Sequence, residues 1–251
     1  DEHEQYTIFS LWDTYRTASP LMTIIDGEKA ASVASTFMNI YNQQGKLPVW
    51  HLAGNETNCM IGNPGVIVMA DLILKGFVKD VPAALEAMKA SSMLDERGQE
   101  LLKVYGYIPF DKSAELETVS KAMEFAIADA CLAKVAREYG DTEAAGYFGE
   151  RSQSWEKHYD PSVGFVRGRA SDGSWRTPFD EFKALHMQSD FTEGNAWQYT
   201  WLVPQDPQGL IDILGGQDAF IAKLDQFFVA EGDLGPNAND VTGLVGQYAH
   251  G

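Results

Sequence analysis

Glu193 sits in the stretch Phe191-Thr192-Glu193-Gly194-Asn195-Ala196-Trp197-Gln198-Tyr199. These are the residue types of a sugar-binding active site. Aromatic rings stack on the apolar face of a pyranose, and amides pair with its hydroxyls. A carboxylic acid among apolar rings keeps its proton closer to neutral pH and can donate it to a glycosidic oxygen. The same nine residues also fit an exposed glutamate at the start of a helix whose aromatics are core.

Other segments mix the same chemistry. In Ser10-Leu11-Trp12-Asp13-Thr14-Tyr15-Arg16, Asp13 and Arg16 stand three apart. On one helical face that spacing pairs them and sets both against sugar hydroxyls. The alternative is a helix start with a surface ion pair, which contributes little. In Leu52-Ala53-Gly54-Asn55-Glu56-Thr57-Asn58-Cys59-Met60, Gly54 permits a tight turn, and Asn55, Glu56 and Asn58 crowd oxygens into one loop. Sugar binding, metal binding and catalysis all fit it, and so does a capped helix start. Three Pro-aromatic loops, Tyr105 to Phe110, Trp175 to Asp180 and Trp201 to Asp206, support a sugar pocket only collectively; each can equally pack over a core. The segment Gly243-Leu244-Val245-Gly246-Gln247-Tyr248-Ala249-His250-Gly251 closes on a lone histidine, the kind more often structural than ligating, and its abrupt end suggests a cut chain.

Helices must hold these segments. Asp26 is a plausible N-cap for a helix whose Ala30, Val33, Ala34, Phe37, Met38 and Tyr41 form one stripe, with Gly45 as C-cap. A helix from Pro64 to Leu74, stopped by Gly76, is apolar almost all round and suits the inner ring of a two-layered helical barrel. Others are expected from Pro82, from Thr118 to Tyr139, after Asp141 as far as Trp155, near Trp197 to Trp201, and from Gln217 to Phe228. Strand signals are confined to Gly164 to Arg169, closed by Asp172-Gly173 as a small hairpin. No linker or repeat divides the chain, so the expectation is one all-α domain with long loops and at most that hairpin.

Composition sets the bounds. A chain of 251 residues, 45% hydrophobic, can bury a sizeable core. With 19 basic residues against 36 acidic ones, the net charge of -17 argues against a nucleic-acid partner and suits a solvated surface or a divalent cation. No apolar run spans a bilayer. The opening Asp1-Glu2-His3-Glu4-Gln5 is no signal peptide, which fits a processed chain or an interior piece. Cys59 and Cys131 are far apart; Cys131 reads as a small buried residue in an apolar helix, and a disulfide between them stays open.

Taken together, six segments in order resemble the catalytic domain of glycoside hydrolase family 92, the calcium-dependent exo-acting α-mannosidases. They are Phe9 to Arg16, Ala53 to Gly62, Asp160 to Arg167, Thr192 to Tyr199, Val203 to Asp206 and Thr242 to Gly251, spanning almost the whole chain. The resemblance implies an (α/α)6 barrel preceded by an N-terminal β-sandwich domain, inversion of anomeric configuration, and Ca2+ near the non-reducing mannose. It places the general acid on Glu193 and a substrate-contacting aspartate on Asp13. Trp12, Arg16, Asn195 and Trp197 are taken as further substrate contacts, and Glu56 as pocket wall. The implied substrate is a mannose-containing oligosaccharide, such as the α-1,2-linked mannose of N-glycans or mannans, and the implied location is secreted or periplasmic.

Two departures qualify the likeness. Asn63-Pro64-Gly65 stands where the family more usually carries a Tyr-His-Ser type sequence. The family's Asn-Glu-Pro loop, its Asp-rich loop with the general base, and its β-sandwich are not among these residues. The expectation is therefore that residues 1–251 are part of a single (α/α)6 domain. The barrel would be incomplete, with the base and most calcium ligands elsewhere, the isolated chain inactive, and apolar helix faces exposed. Two other readings remain: a different carbohydrate-active enzyme on the same helical toroid, or a non-catalytic carbohydrate-binding fragment.

Overall fold

The computed structural model describes residues 4–185, 187–236 and 238–249. His250 and Gly251, which close the last segment singled out above, lie outside them. The chain opens with β1 (Phe9–Ser10), α1 (Leu11–Thr14), α2 (Ala18–Ile25) and α3 (Gly27–Gln44). Strands β2 (Trp50–Leu52) and β3 (Asn55–Glu56) lead into α4 (Pro64–Leu74) and α5 (Val81–Ser92). Then come α6 (Gln99–Tyr105), the long α7 (Thr118–Glu138), α8 (Thr142–Arg151), β4 (Tyr159–Asp160) and β5 (Phe165–Val166). Helices α9 (Ala196–Thr200), α10 (Pro207–Ile213) and α11 (Gln217–Phe227) follow. The residues group into two compact units, 1–95 with 124–153 and 96–123 with 154–251.

Helices dominate, as expected, and among the described residues neither unit closes a barrel. Sheet is more extensive than the one hairpin expected: β1, β2 and β3 form an antiparallel sheet in that order, and β4 pairs with β5. The hairpin itself is displaced: Tyr159 faces Val166 and Asp160 faces Phe165, while Arg169 makes only an isolated bridge to Trp175. In the first sheet, β2 turns into β3 through Ala53 and Gly54, both left-handed (φ 50 and 80). Such turns match the twist of two-residue hairpins.

The core of the first unit is built on α4, buried from Pro64 through Ala70 and again at Leu72 and Ile73. Pro64 begins it where no backbone N–H is needed. Gly65 follows because a Cβ there would lie 2.3 Å from the Pro48 carbonyl oxygen. Around it pack α1, α2, α3 and α5. Asp26, Asp80 and Asp141 cap α3, α5 and α8, accepting from Lys29 N (3.0 Å), Ala83 N (3.1 Å) and Ala144 N (3.0 Å). After α8, residues Ser152–His158 tighten into a 3-10 turn, so Trp155 does not continue the helix as expected. Helix α7 is buried almost all round, yet carries the charges of Lys121, Glu124 and Asp129 inside. Asp129 takes both arms of Arg151 (2.6 and 2.6 Å), and Arg151 also donates to the Ser92 carbonyl oxygen (2.7 Å). Both cysteines are free, Cys59 exposed and Cys131 half-buried, and burial pushes the Cys131 thiol up to about 11.

In the second unit α9 packs on β5, and α10 on α11. Phe165 meets Trp197 edge-on (4.8 Å), and Trp197 stacks with Phe227 (6.4 Å). His158 is buried in the same unit, its ring edge-on to Tyr107 (5.8 Å).

Candidate active site

The residues expected to serve a sugar divide between the units: Trp12, Asp13, Arg16 and Glu56 in the first, Glu193, Asn195 and Trp197 in the second. Glu193 is half-buried at the bend just before α9. Its φ of 45 is left-handed. A glutamate there costs on the order of 1 kcal/mol, strain that persists only where the surroundings impose it.

The surroundings do so. Asn195 is fully buried and caps α9, its Oδ1 accepting from Trp197 N (3.0 Å) and Gln198 N (3.3 Å). Gln198 reaches back to accept from Asn195 N (2.7 Å), completing a capping box. Asn195 Nδ2 donates to the Phe182 carbonyl oxygen (3.0 Å) and to Gln247 Oε1 (2.9 Å). Its amide is thus spent on holding the loop. Trp197 is 5% exposed, and the Lys223 ammonium lies 4.8 Å from its ring. Its face is committed to Phe165 and Phe227, although its indole N–H has no partner among the described residues.

In the first unit a different carboxylate organises the site. Glu124 Oε1 accepts from Trp12 Nε1 (2.9 Å) and Arg16 Nη2 (2.8 Å), and Oε2 from the Tyr15 hydroxyl (3.0 Å). Arg16 also donates to the Tyr15 hydroxyl (2.8 Å). Burial raises the Glu124 pKa, and the Arg16 guanidinium with the Tyr15 and Trp12 donors pulls against it. Every contact is a donor to carboxylate oxygen, the pattern of an ionised acid. Gly62, left-handed at φ 74, makes room: a Cβ there would lie 2.6 Å from the Glu124 Cβ.

Arg16 therefore pairs with Glu124, where the spacing argument had paired it with Asp13. The reason is length: α1 ends at Thr14, so no helical face extends to Arg16. Asp13 is exposed and accepts from the Ser10 hydroxyl, leaving its carboxylate able to take sugar hydroxyls. Glu56 is occupied by the backbone, accepting from Val49 N (2.7 Å), Trp50 N (2.9 Å) and Asn58 N (2.9 Å). Burial pushes its pKa up, but those three amides outweigh it and hold it low. Its observed role is to pin the β2–β3 hairpin.

Glu124 was not singled out from the sequence. The available signal was an acid inside Met123-Glu124-Phe125-Ala126, since a charge on a helix with no polar face must find a partner. Among the described residues no three His, Cys, Asp or Glu side chains gather so as to hold a metal ion.

Known proteins resemble this chain in sequence and fold. The profile of the glycosyl hydrolase family 92 catalytic domain matches residues 1–251. An α-mannosidase from Bacteroides thetaiotaomicron, solved in complex with mannoimidazole, is 39% identical with a TM-score of 0.93, over 100% of this chain and 34% of that one. An inverting mannosidase from the same organism is 33% identical with a TM-score of 0.84, over 92% of this chain and 32% of that one. A protein of Arthroderma benhamiae named as an uncharacterized secreted glycosidase is 25% identical over 75% of this chain and 29% of its own length. The chain thus spans about a third of the length of these relatives.

Proposed function

The chain belongs to glycosyl hydrolase family 92, as a portion of the catalytic domain, and from that premise we propose that it serves an inverting exo-α-mannosidase with Glu193 as general acid. The observation that carries the reading is the match of all 251 residues to an α-mannosidase bound to mannoimidazole, at a TM-score of 0.93.

In this reading the Glu193 carboxylic acid gives its proton to the glycosidic oxygen as the bond to C1 breaks and the ring gains oxocarbenium character. A base on the opposite face takes a proton from the attacking water, which needs a carboxyl separation of roughly 6.5–9.5 Å. We place that base in the remainder of the domain that the longer relatives contain. Asp13 accepts from mannose hydroxyls, and Trp12 and Arg16, held by Glu124, keep α1 in place behind it. Among the described residues no group of three His, Cys, Asp or Glu side chains could hold the calcium expected of the family. Export from the cytoplasm belongs to the same proposal, supported by the secreted glycosidase among the relatives.

The test is Glu193→Gln in the full-length protein. Turnover of α-mannobiose should fall by roughly 10²–10⁴-fold while binding persists. Dinitrophenyl α-mannoside, whose leaving group needs no proton, should be far less affected. Unchanged α-mannobiose turnover overturns the assignment. Comparing mannobioses of each linkage tests the preference for α-1,2-linked mannose.

A further inference from the structure

The loop leading into Glu193 is fastened to two helices. Asp190, 4% exposed, comes first. Its carbonyl oxygen accepts from Val119 N (3.2 Å) and Ser120 N (3.1 Å). The loop backbone therefore caps α7, whose first N–H groups otherwise lack partners. The Asp190 carboxylate accepts from Arg176 Nε (2.7 Å), Arg176 Nη2 (3.1 Å) and the Thr118 hydroxyl (3.0 Å). Gly168 makes space for it: a Cβ there would sit 2.1 Å from Asp190 Oδ2.

Two residues on, Thr192 N donates to Ser120 Oγ (2.8 Å), and the Thr192 carbonyl oxygen accepts from the Tyr199 hydroxyl (2.6 Å). The Tyr199 ring stacks on Phe191 (5.7 Å). That carbonyl belongs to the peptide whose nitrogen is Glu193's own. Its plane sets φ of Glu193, and φ sets the direction of the side chain. A right-handed φ, about −60° in helical backbone, would point the carboxyl in a different direction.

We propose that Tyr199 and Ser120 are positioning residues, which aim the Glu193 carboxyl by holding the peptides on either side of Thr192: Tyr199, from α9, fixes the Thr192–Glu193 peptide, and Ser120, from α7, fixes the Phe191–Thr192 peptide before it. This rests on Glu193 being the general acid. Proton transfer depends steeply on placement, so releasing the peptide should damage acid catalysis and spare ground-state binding.

The experiment is Tyr199→Phe in the full-length protein, which keeps the ring and its stack. For α-mannobiose, kcat should fall roughly ten- to hundredfold with KM little changed. Dinitrophenyl α-mannoside should be nearly unaffected, and adding Tyr199→Phe to Glu193→Gln should cause no further loss. Ser120→Ala should show the same leaving-group signature, and it carries the test alone if Tyr199→Phe does not fold. Equal losses on both substrates, or losses that add to that of Glu193→Gln, overturn the proposal in favour of a merely structural role. If Glu193→Gln abolishes α-mannobiose turnover while both variants stay at wild-type rates, positioning alone is wrong. If Glu193→Gln keeps wild-type turnover, the reading beneath it fails first.

Discussion

His158 lies fully buried, its Nδ1 3.4 Å from the Arg167 carbonyl oxygen, and burial lowers its pKa from 6.5 to about 4. The unfolded chain binds this proton below about pH 6.5, whereas the folded chain refuses it until about pH 4. The stabilisation is therefore whole above pH 6.5 and is lost as pH falls toward 4, a drop on the order of 3 kcal/mol. Urea melts at pH 7 and pH 4.5 should show that drop, and His158→Leu should flatten the part due to this ring; an unchanged slope would count against a sealed imidazole. Other residues differ in how readable they were. Glu193 was conspicuous because its neighbours are sugar-binding types that are contiguous in sequence. Glu124 was not, because its partner Arg16 lies 108 positions away and only the fold brings them together. Glu56 holds three backbone amides, a use that residue type alone does not reveal.

Among the elements, capping decided what could be read. Helix α3 follows Asp26, the cap expected of it, and α8 begins after Asp141 as expected, with Asp141 capping it in turn. The same device begins α10, where Asp206 accepts from Gly209 N (2.9 Å) and Pro207 opens the first turn, although in sequence Asp206 closes the Trp201 to Asp206 loop. Helix α6 lies between two left-handed glycines, Gly98 and Gly106. At seven residues it is too short to display a helical period in the sequence. In α2, Pro20 falls in the first turn, where it is harmless, and Thr23, Ile24 and Ile25 lower helix propensity. Tertiary contact with α3 and α4 overrides that preference. Strands of two or three residues show no alternation, so the first sheet left no trace. The two caps in the second unit should differ in strength. Asp206→Ala should cost about 1 kcal/mol, and Asn195→Ala about 2–4 kcal/mol, because it also strands the buried Gln247 amide. Chemical denaturation of both variants measures the gap; equal costs would mean that the Asn195 network adds nothing.

For the molecule as a whole, charge and hydrophobic burial act on different properties. The net charge of -17 makes the folded chain repel itself. Raising ionic strength from roughly 0.01 M to 0.15 M shortens the screening length from about 30 Å to about 8 Å. The melting temperature should rise with it. A melting temperature indifferent to salt would show that the acidic groups are already compensated. No described helix is long and apolar enough to cross a membrane. The absence of a disulfide has a practical consequence. Cys59 is exposed just past the Glu56-pinned hairpin, whereas the thiol of Cys131 stays protonated at neutral pH. Only a thiolate attacks an alkylating dye. Among the described residues Cys59 is therefore the addressable anchor for a fluorophore, two positions past Thr57, whose N–H donates to the Trp50 carbonyl oxygen (3.2 Å), so the dye would report on the Trp50 indole without any engineered cysteine.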